Sequence, residues 1–137
     1  MKIVLDTNCL LPIIIPGSYA NDIWQAFRAG RYTLCVSTEI LYEYEEILLQ
    51  LTGDKEFASL VLEAITNAPN VERITPYFKF NLITTDPDDN KFVDCAITAG
   101  AKYIVSNDRH FTELKRYDFP KVEVRSLMEF LDIVRGL

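Results

Sequence analysis

Cysteine, histidine, basic charge and long apolar runs are all scarce in this chain, and each scarcity removes a class of protein. The three cysteines, Cys9, Cys35 and Cys95, stand inside apolar segments with no CxxC spacing, so neither a disulfide framework nor a thiolate metal site is built from them. They read as small buried hydrophobes. The single histidine, His110, has no convincing nucleophile to pair with, which leaves Ser–His or Cys–His hydrolysis without its machinery. No apolar stretch reaches the ~18 residues of a bilayer-spanning helix, and the N-terminal run breaks at Asp6 too early for a signal peptide. The expectation is a cytoplasmic protein with no membrane partner. Fourteen basic residues against twenty acidic give a net charge of −6, which argues against a nucleic-acid binder held by a broad basic face. One arrangement escapes that argument: carboxylates converging on divalent cations form a site that is electropositive when loaded.

What the sequence does hold is the material of one folded domain. Its 137 residues, 49% hydrophobic and 25% charged, are enough for a core without staples, with residues 1–137 read as a single unit. Lys2 to Leu5 reads as a buried strand, and Pro16-Gly17 marks a turn. Ser18 is placed to cap a helix through "YANDIWQAFRA", stopped by Gly30, before a second strand from Tyr32 to Val36. A third segment, "EILYEYEEILLQL", carries an apolar stripe of helical period behind a Ser37 or Thr38 cap and ends at Thr52-Gly53. Another amphipathic helix spans Asp54 to about Ala68, and a weaker strand lies around Val71 to Ile74. Tyr77 to Pro87 reads as irregular, "DPDDN" at Asp86 to Asn90 supplies turn and cap chemistry, and "KFVDCAITAG" is a helix. "AKYIVSND" gives a strand, "HFTELKRY" a short helix or turn, "KVEVRS" the last strand and "LMEFLDIVRGL" the last helix. Short apolar strands alternating with helices predict an α/β fold with a parallel sheet between two helical layers. Its ligand crevice belongs at the carboxyl ends of the strands.

Carboxylates collect at that edge. Asp6 follows "KIVL" and Asp108 follows "YIVS", while Asp94 lies one turn into its helix with Asn90 on the same side. A buried, unpaired Asp6 would cost several kcal/mol, and a cation, with hydrogen bonds from Thr7 and Asn8, would balance it. Acids brought to one point repel unless cations hold them, and hard oxygen clusters select Mg²⁺ or Mn²⁺. Each acid also has a plain reading: Asp6 and Asp108 as caps, Asp94 as a solvated helix residue. In the acidic helix, periodicity does not choose between Glu43 and Glu45, which border the apolar stripe on opposite sides.

"IVLDTNCLL", "STEILYEYEEIL", "DPDDNKFVDCAITAGAKYIVSNDRHF" and "LMEFL", in that order over essentially the whole chain, resemble the PIN domain, and most of all the small single-domain PIN proteins that serve as toxins of toxin–antitoxin systems. The resemblance implies a three-layer α/β/α sandwich around a central parallel sheet and a ribonuclease dependent on Mg²⁺ or Mn²⁺. It places the acids on Asp6, Glu43, Asp94 and Asp108, with Asn8, Asp89 and Ser106 as supporting polar positions. It implies RNA as substrate, an antitoxin protein as partner and a homodimer as an assembly. Ser106-Asn107 departs from relatives that carry Thr or Ser followed by Gly. A catalytically silent RNA-binding or scaffold module is the alternative with the same fold. A phospho-acceptor receiver would want an acidic pair at the first strand and a late Lys, and a haloacid-dehalogenase-like phosphatase would want a second Asp two residues after Asp6. Neither pattern is present.

Overall fold

The computed structural model describes all residues from Met1 to Leu137. Five parallel strands, β1 (Lys2–Leu5), β2 (Thr33–Val36), β3 (Val71–Arg73), β4 (Tyr103–Val105) and β5 (Val124–Arg125), form one sheet in the order β3-β2-β1-β4-β5. The chain builds outward from β1 through β2 to β3, then returns to start again at β4 on the other side of β1. This reversal makes the β1/β4 boundary a topological switch point, where the connections leave in opposite directions and open a crevice.

Six helices flank the sheet: α1 (Leu10–Ile14), α2 (Asn21–Arg28), α3 (Thr38–Thr52), α4 (Lys55–Thr66), α5 (Asn90–Ala99) and α6 (Leu127–Arg135). Helix α2 packs on α1 and α6, α3 packs on α4 and α5, and α5 lies against β1, β2 and β4. The sheet is thus the middle layer of three, as the sequence predicts. Ile3, Val4, Cys35, Val36, Ile104 and Val105 are fully buried, as expected of parallel strands covered on both faces. All three cysteines are free and buried, and burial pushes the Cys9 thiol up to about 12. No helix is long and apolar enough to cross a membrane.

The expected elements appear, with differences at their ends. Ser37 caps α3 by accepting from the Ile40 N–H, and Gly53 closes it at φ +64°. Ser126 and Glu129 make a reciprocal capping box on α6. Ser18 does not cap α2, whose N-cap is Ala20; its hydroxyl donates to the Pro12 carbonyl instead. The segment after Asp6 is helical, with a 3-10 turn at Thr7–Cys9 running into α1. Neither was expected there. Pro12 is third in that helix, within the first turn, where its missing N–H leaves no bond unmade. "KVEVRS" shrinks to the two residues of β5, because β5 is an edge strand paired only with β4.

Candidate active site

The register of the two central strands builds the site. Leu5 pairs with Val105, so the next residues along, Asp6 and Ser106, leave the sheet side by side at its carboxyl edge. The Asp6 N–H donates to the Val105 carbonyl at 3.0 Å. Ser106 works in both directions: its Oγ donates to Asp6 Oδ2 at 2.7 Å and accepts from the Asp108 N–H at 2.9 Å. Asp6 is only 3% exposed. Burial raises its pKa; the Ser106 hydroxyl and the Asn8 backbone amide pull it down, and the charges of Asp108 and Glu43 raise it further. Asn8 therefore contributes its main chain, its side chain being exposed. Asp6 stands at the N-cap of the turn that follows without a well-formed side-chain cap bond, the Asn8 amide acting on its carboxyl more weakly than Ser106 does. Asp108 does cap its turn, accepting from the His110 N–H at 2.8 Å.

Tertiary packing selects Glu43 over Glu45. The Thr7 hydroxyl, expected on Asp6, donates to Glu43 Oε2, and Lys91 Nζ lies 3.1 Å from Glu43 Oε1. Glu45 is exposed. Helix α3 is held at this height by Tyr44, fully buried, whose hydroxyl donates to the Leu5 carbonyl at 2.6 Å.

The third carboxylate of the crevice is Asp89, not Asp94. Asp89 is buried, and its pKa is pushed up to about 6, first by burial and then by the charges of Asp86, Asp108 and Asp6, against a lowering bond from His110. The His110 ring sits among carboxylates, its Nδ1 3.2 Å from Asp108, 3.3 Å from Asp89 and 3.6 Å from Asp86. One ligand atom each from Asp86, Asp89 and His110 falls within 4.8 Å of the others. Asp94 faces elsewhere: its Oδ1 accepts from the Phe80 N–H at 3.1 Å. Burial raises its pKa against that bond, and the charged groups that act on it are Glu39 and Lys79 rather than Asp6 or Asp108.

The reason lies one turn back. Asn90 binds both polar groups of the Ile83 backbone, at 2.9 Å each, which fixes that flank of α5 against the segment before it. Asp94, four residues on, shares the flank. Periodicity puts Asn90 and Asp94 on one side, and only the fold of residues 77–87 decides which side meets the crevice. Asp86 and His110 carried a weaker signal, the spacing of Asp86 to Asp89 and the Asp108-x-His110 pair.

The donor set suits a hard divalent cation. Asp6, Glu43, Asp86, Asp89 and Asp108 supply carboxylate oxygens, His110 offers a ring nitrogen, and the cation beside them is Lys91 on Glu43. Burial first, and the charges of neighbouring carboxylates after it, raise the carboxyls of Asp6 and Asp89, and Mg²⁺ or Mn²⁺ would offset both.

The family model described as "PIN domain" matches residues 2–110. The fold is similar to a solved structure of VapBC2 from Rickettsia felis bound to a DNA fragment from its promoter, with TM-score 0.60 and 22% identity over 92% of this chain and 98% of that one. It is also similar to DNA-bound VapBC from Salmonella typhimurium, with TM-score 0.59 and 19% identity over 93% and 98%. Among curated proteins none matches.

Proposed function

The chain belongs to the PIN domain family, and from that premise we propose that it is a metal-dependent endoribonuclease, the toxin of a toxin–antitoxin pair, acting in the cytoplasm. The observation that carries the reading is the carboxylate group at the β1/β4 switch point: Asp6 and Asp89, buried and raised in pKa, with Glu43 and Asp108 half-buried beside them and Asp86 at the rim. Asp6, Asp89 and Asp108 would hold Mg²⁺ or Mn²⁺, with Glu43 completing the charge. When bound, such an ion supplies an activated water and stabilises the charge that grows on a phosphodiester in hydrolysis.

The chain's own residues do the positioning. Ser106 locks Asp6 and the Asp108 backbone into one arrangement, so neither has to reorganise as charge develops. His110 Nδ1 lies between the carboxylates of Asp89 and Asp108, within hydrogen-bond reach of Asp89. Lys91 and Thr7 fix Glu43 at the edge of the crevice. Single-stranded or looped RNA is the favoured substrate, because only unstacked strands bring a phosphate into a recessed site. An antitoxin segment would cover the cleft with a basic side chain. Tyr42, Leu51 and Leu60, exposed on α3 and α4, give a face for that partner or for a homodimer.

The test is cleavage of a mixed RNA pool in Mg²⁺, in Mn²⁺ and in EDTA, beside Asp6→Asn protein prepared identically. Cleavage by the wild type that requires metal, and a loss of roughly 10²–10³-fold in the variant, is the expected result. Cleavage unaffected by EDTA or by Asp6→Asn would overturn the reading. Metal binding without cleavage of any RNA would favour the silent scaffold.

A further inference from the structure

Beside the acidic crevice lies a second cavity of about 360 Å³, bordered by the start of α3, the segment Ile74–Asn81 and the flank of α5 that carries Asp94. This volume is within the roughly 300–1,000 Å³ range of small-ligand sites. Resting on the nuclease reading, we propose that it is a base-recognition pocket for one unstacked nucleotide of the RNA next to the cut, with Asp94 accepting from the exocyclic amino group of cytosine, adenine or guanine.

Asp94 is built for that task. It is 7% exposed, and its hydrogen bonding is one-sided: Oδ1 takes the Phe80 N–H, and no group of the chain donates to Oδ2. Since no enclosed side-chain polar atom is left unpaired, Oδ2 opens onto the cavity that Asp94 lines. A held carboxylate with a spare oxygen is an acceptor awaiting a donor. Base edges supply one: cytosine, adenine and guanine carry an exocyclic amino donor, whereas uracil has no amino group and offers only its recessed ring N3–H between two carbonyl oxygens that a carboxylate repels.

The surroundings suit the rest of a nucleotide. Lys79 and Lys91 line the same cavity, and Lys91 also reaches Glu43 of the acidic group at 3.1 Å. A phosphate held there would lie between the pocket and the crevice, joining base recognition to the cut. Pro76 and Pro87 provide apolar wall. On the same bordering segment, Tyr77 and Phe78 are 86% and 74% exposed, bare aromatic faces of the kind on which bases of single strands stack.

The experiment uses Asp6→Asn protein, disabled for cleavage under the proposed function, and fluorescence anisotropy with labelled cytidine, adenosine and uridine ribo-hexamers. The cytidine and adenosine oligomers should bind about tenfold more tightly than the uridine oligomer. Adding Asp94→Asn keeps an oxygen for Phe80 but turns an amino donor into the cavity, and should abolish or reverse that preference. Tyr77→Ala should weaken all three alike and leave the preference unchanged. An unaltered preference with Asp94→Asn, no binding of any oligomer, or loss of Mn²⁺ affinity on Asp94→Asn alone would overturn the proposal. The two readings fail separately. Metal-dependent cleavage with base preference indifferent to Asp94 sinks the pocket and leaves the nuclease, while an Asp94-dependent preference in a wild type that cuts no RNA sinks the nuclease and leaves the pocket.

Discussion

Glu113 and Asp6 are both buried carboxylates, yet the fold treats them in opposite ways. Glu113 takes the N–H and hydroxyl of Thr84 and of Thr85, at 2.6–3.2 Å. Its pKa falls to about 2, led by the Thr85 hydroxyl and amide. Asp6 has the Ser106 hydroxyl and one backbone amide, and the charges of Asp108 and Glu43 around it, so burial wins and its pKa rises. Asp89 is pushed the same way. A carboxylate that serves the fold is surrounded with donors until its charge is satisfied. At the switch point the donors are fewer and further carboxylates are added, an arrangement that positive charge from outside the chain would balance.

The sharpest way to break the comparison is to neutralise one member of each group. Asp6→Asn should lower RNA cleavage by roughly 10²–10³-fold while the melting temperature in EDTA stays at or above that of the wild type, because a source of repulsion is gone. Glu113→Ala should do the reverse: a melting temperature lower by several degrees, since the Thr84 and Thr85 donors lose their acceptor, with cleavage per folded molecule retained. Calorimetry and a cleavage assay on the same preparations check both. A clear fall in the melting temperature of Asp6→Asn would mark Asp6 as structural and end the contrast.

Lys91→Met should have a smaller effect. The Lys91–Glu43 pair is mostly buried, at 15% and 29% side-chain exposure, so its loss should cost about 1 kcal/mol of stability in EDTA. Mn²⁺ should raise the melting temperature of the variant more than that of the wild type, because the cation then relieves a charge that Lys91 no longer balances. Equal shifts would show that Glu43 lies outside the metal's influence.

The smallest effect is the pH dependence of the metal-free protein. The folded pKa of Asp89, about 6, lies above its ordinary 3.8. Its contribution to stability is therefore full below about pH 4 and is lost as pH rises through 6. Glu113 runs the other way, from 4.5 down to about 2: its contribution is present above pH 4.5 and is lost as pH falls toward 2. Urea midpoints in EDTA should decline between pH 4 and pH 6.5, and Asp89→Asn should reduce that decline, leaving the part due to the raised carboxyls of Asp6 and Asp94. A wild-type midpoint that rises across the window would contradict the assigned direction.

Much of this contrast was legible before the fold was known. An apolar run ending in an acid marks a strand that stops at a polar edge, which is why Asp6 and Asp108 stand out from local pattern, whereas Ser106 comes only with the family resemblance. Glu43 was harder, because a helix with acids on both borders of its stripe is ambiguous until Thr7 and Lys91 claim one of them. Asp94 and Asp89 could not be sorted at all by period. Their sides are set by Asn90 binding the Ile83 backbone, in a segment without regular structure. Glu113 escaped notice for the same reason: its donors are Thr84 and Thr85 in that irregular segment, far from it in sequence. The helix after Asp6 was hidden by Pro12, whose place in a first turn is harmless but whose presence argues for a break.

The most direct test of the central claim is a calorimetric titration of Mn²⁺ into wild-type, Asp6→Asn and Glu113→Ala protein at neutral pH. Saturable binding by the wild type and by Glu113→Ala, with binding lost in Asp6→Asn, is the predicted result. Equal Mn²⁺ affinity in the wild type and Asp6→Asn would mean that the strained carboxylates at the switch point are not there to hold a metal.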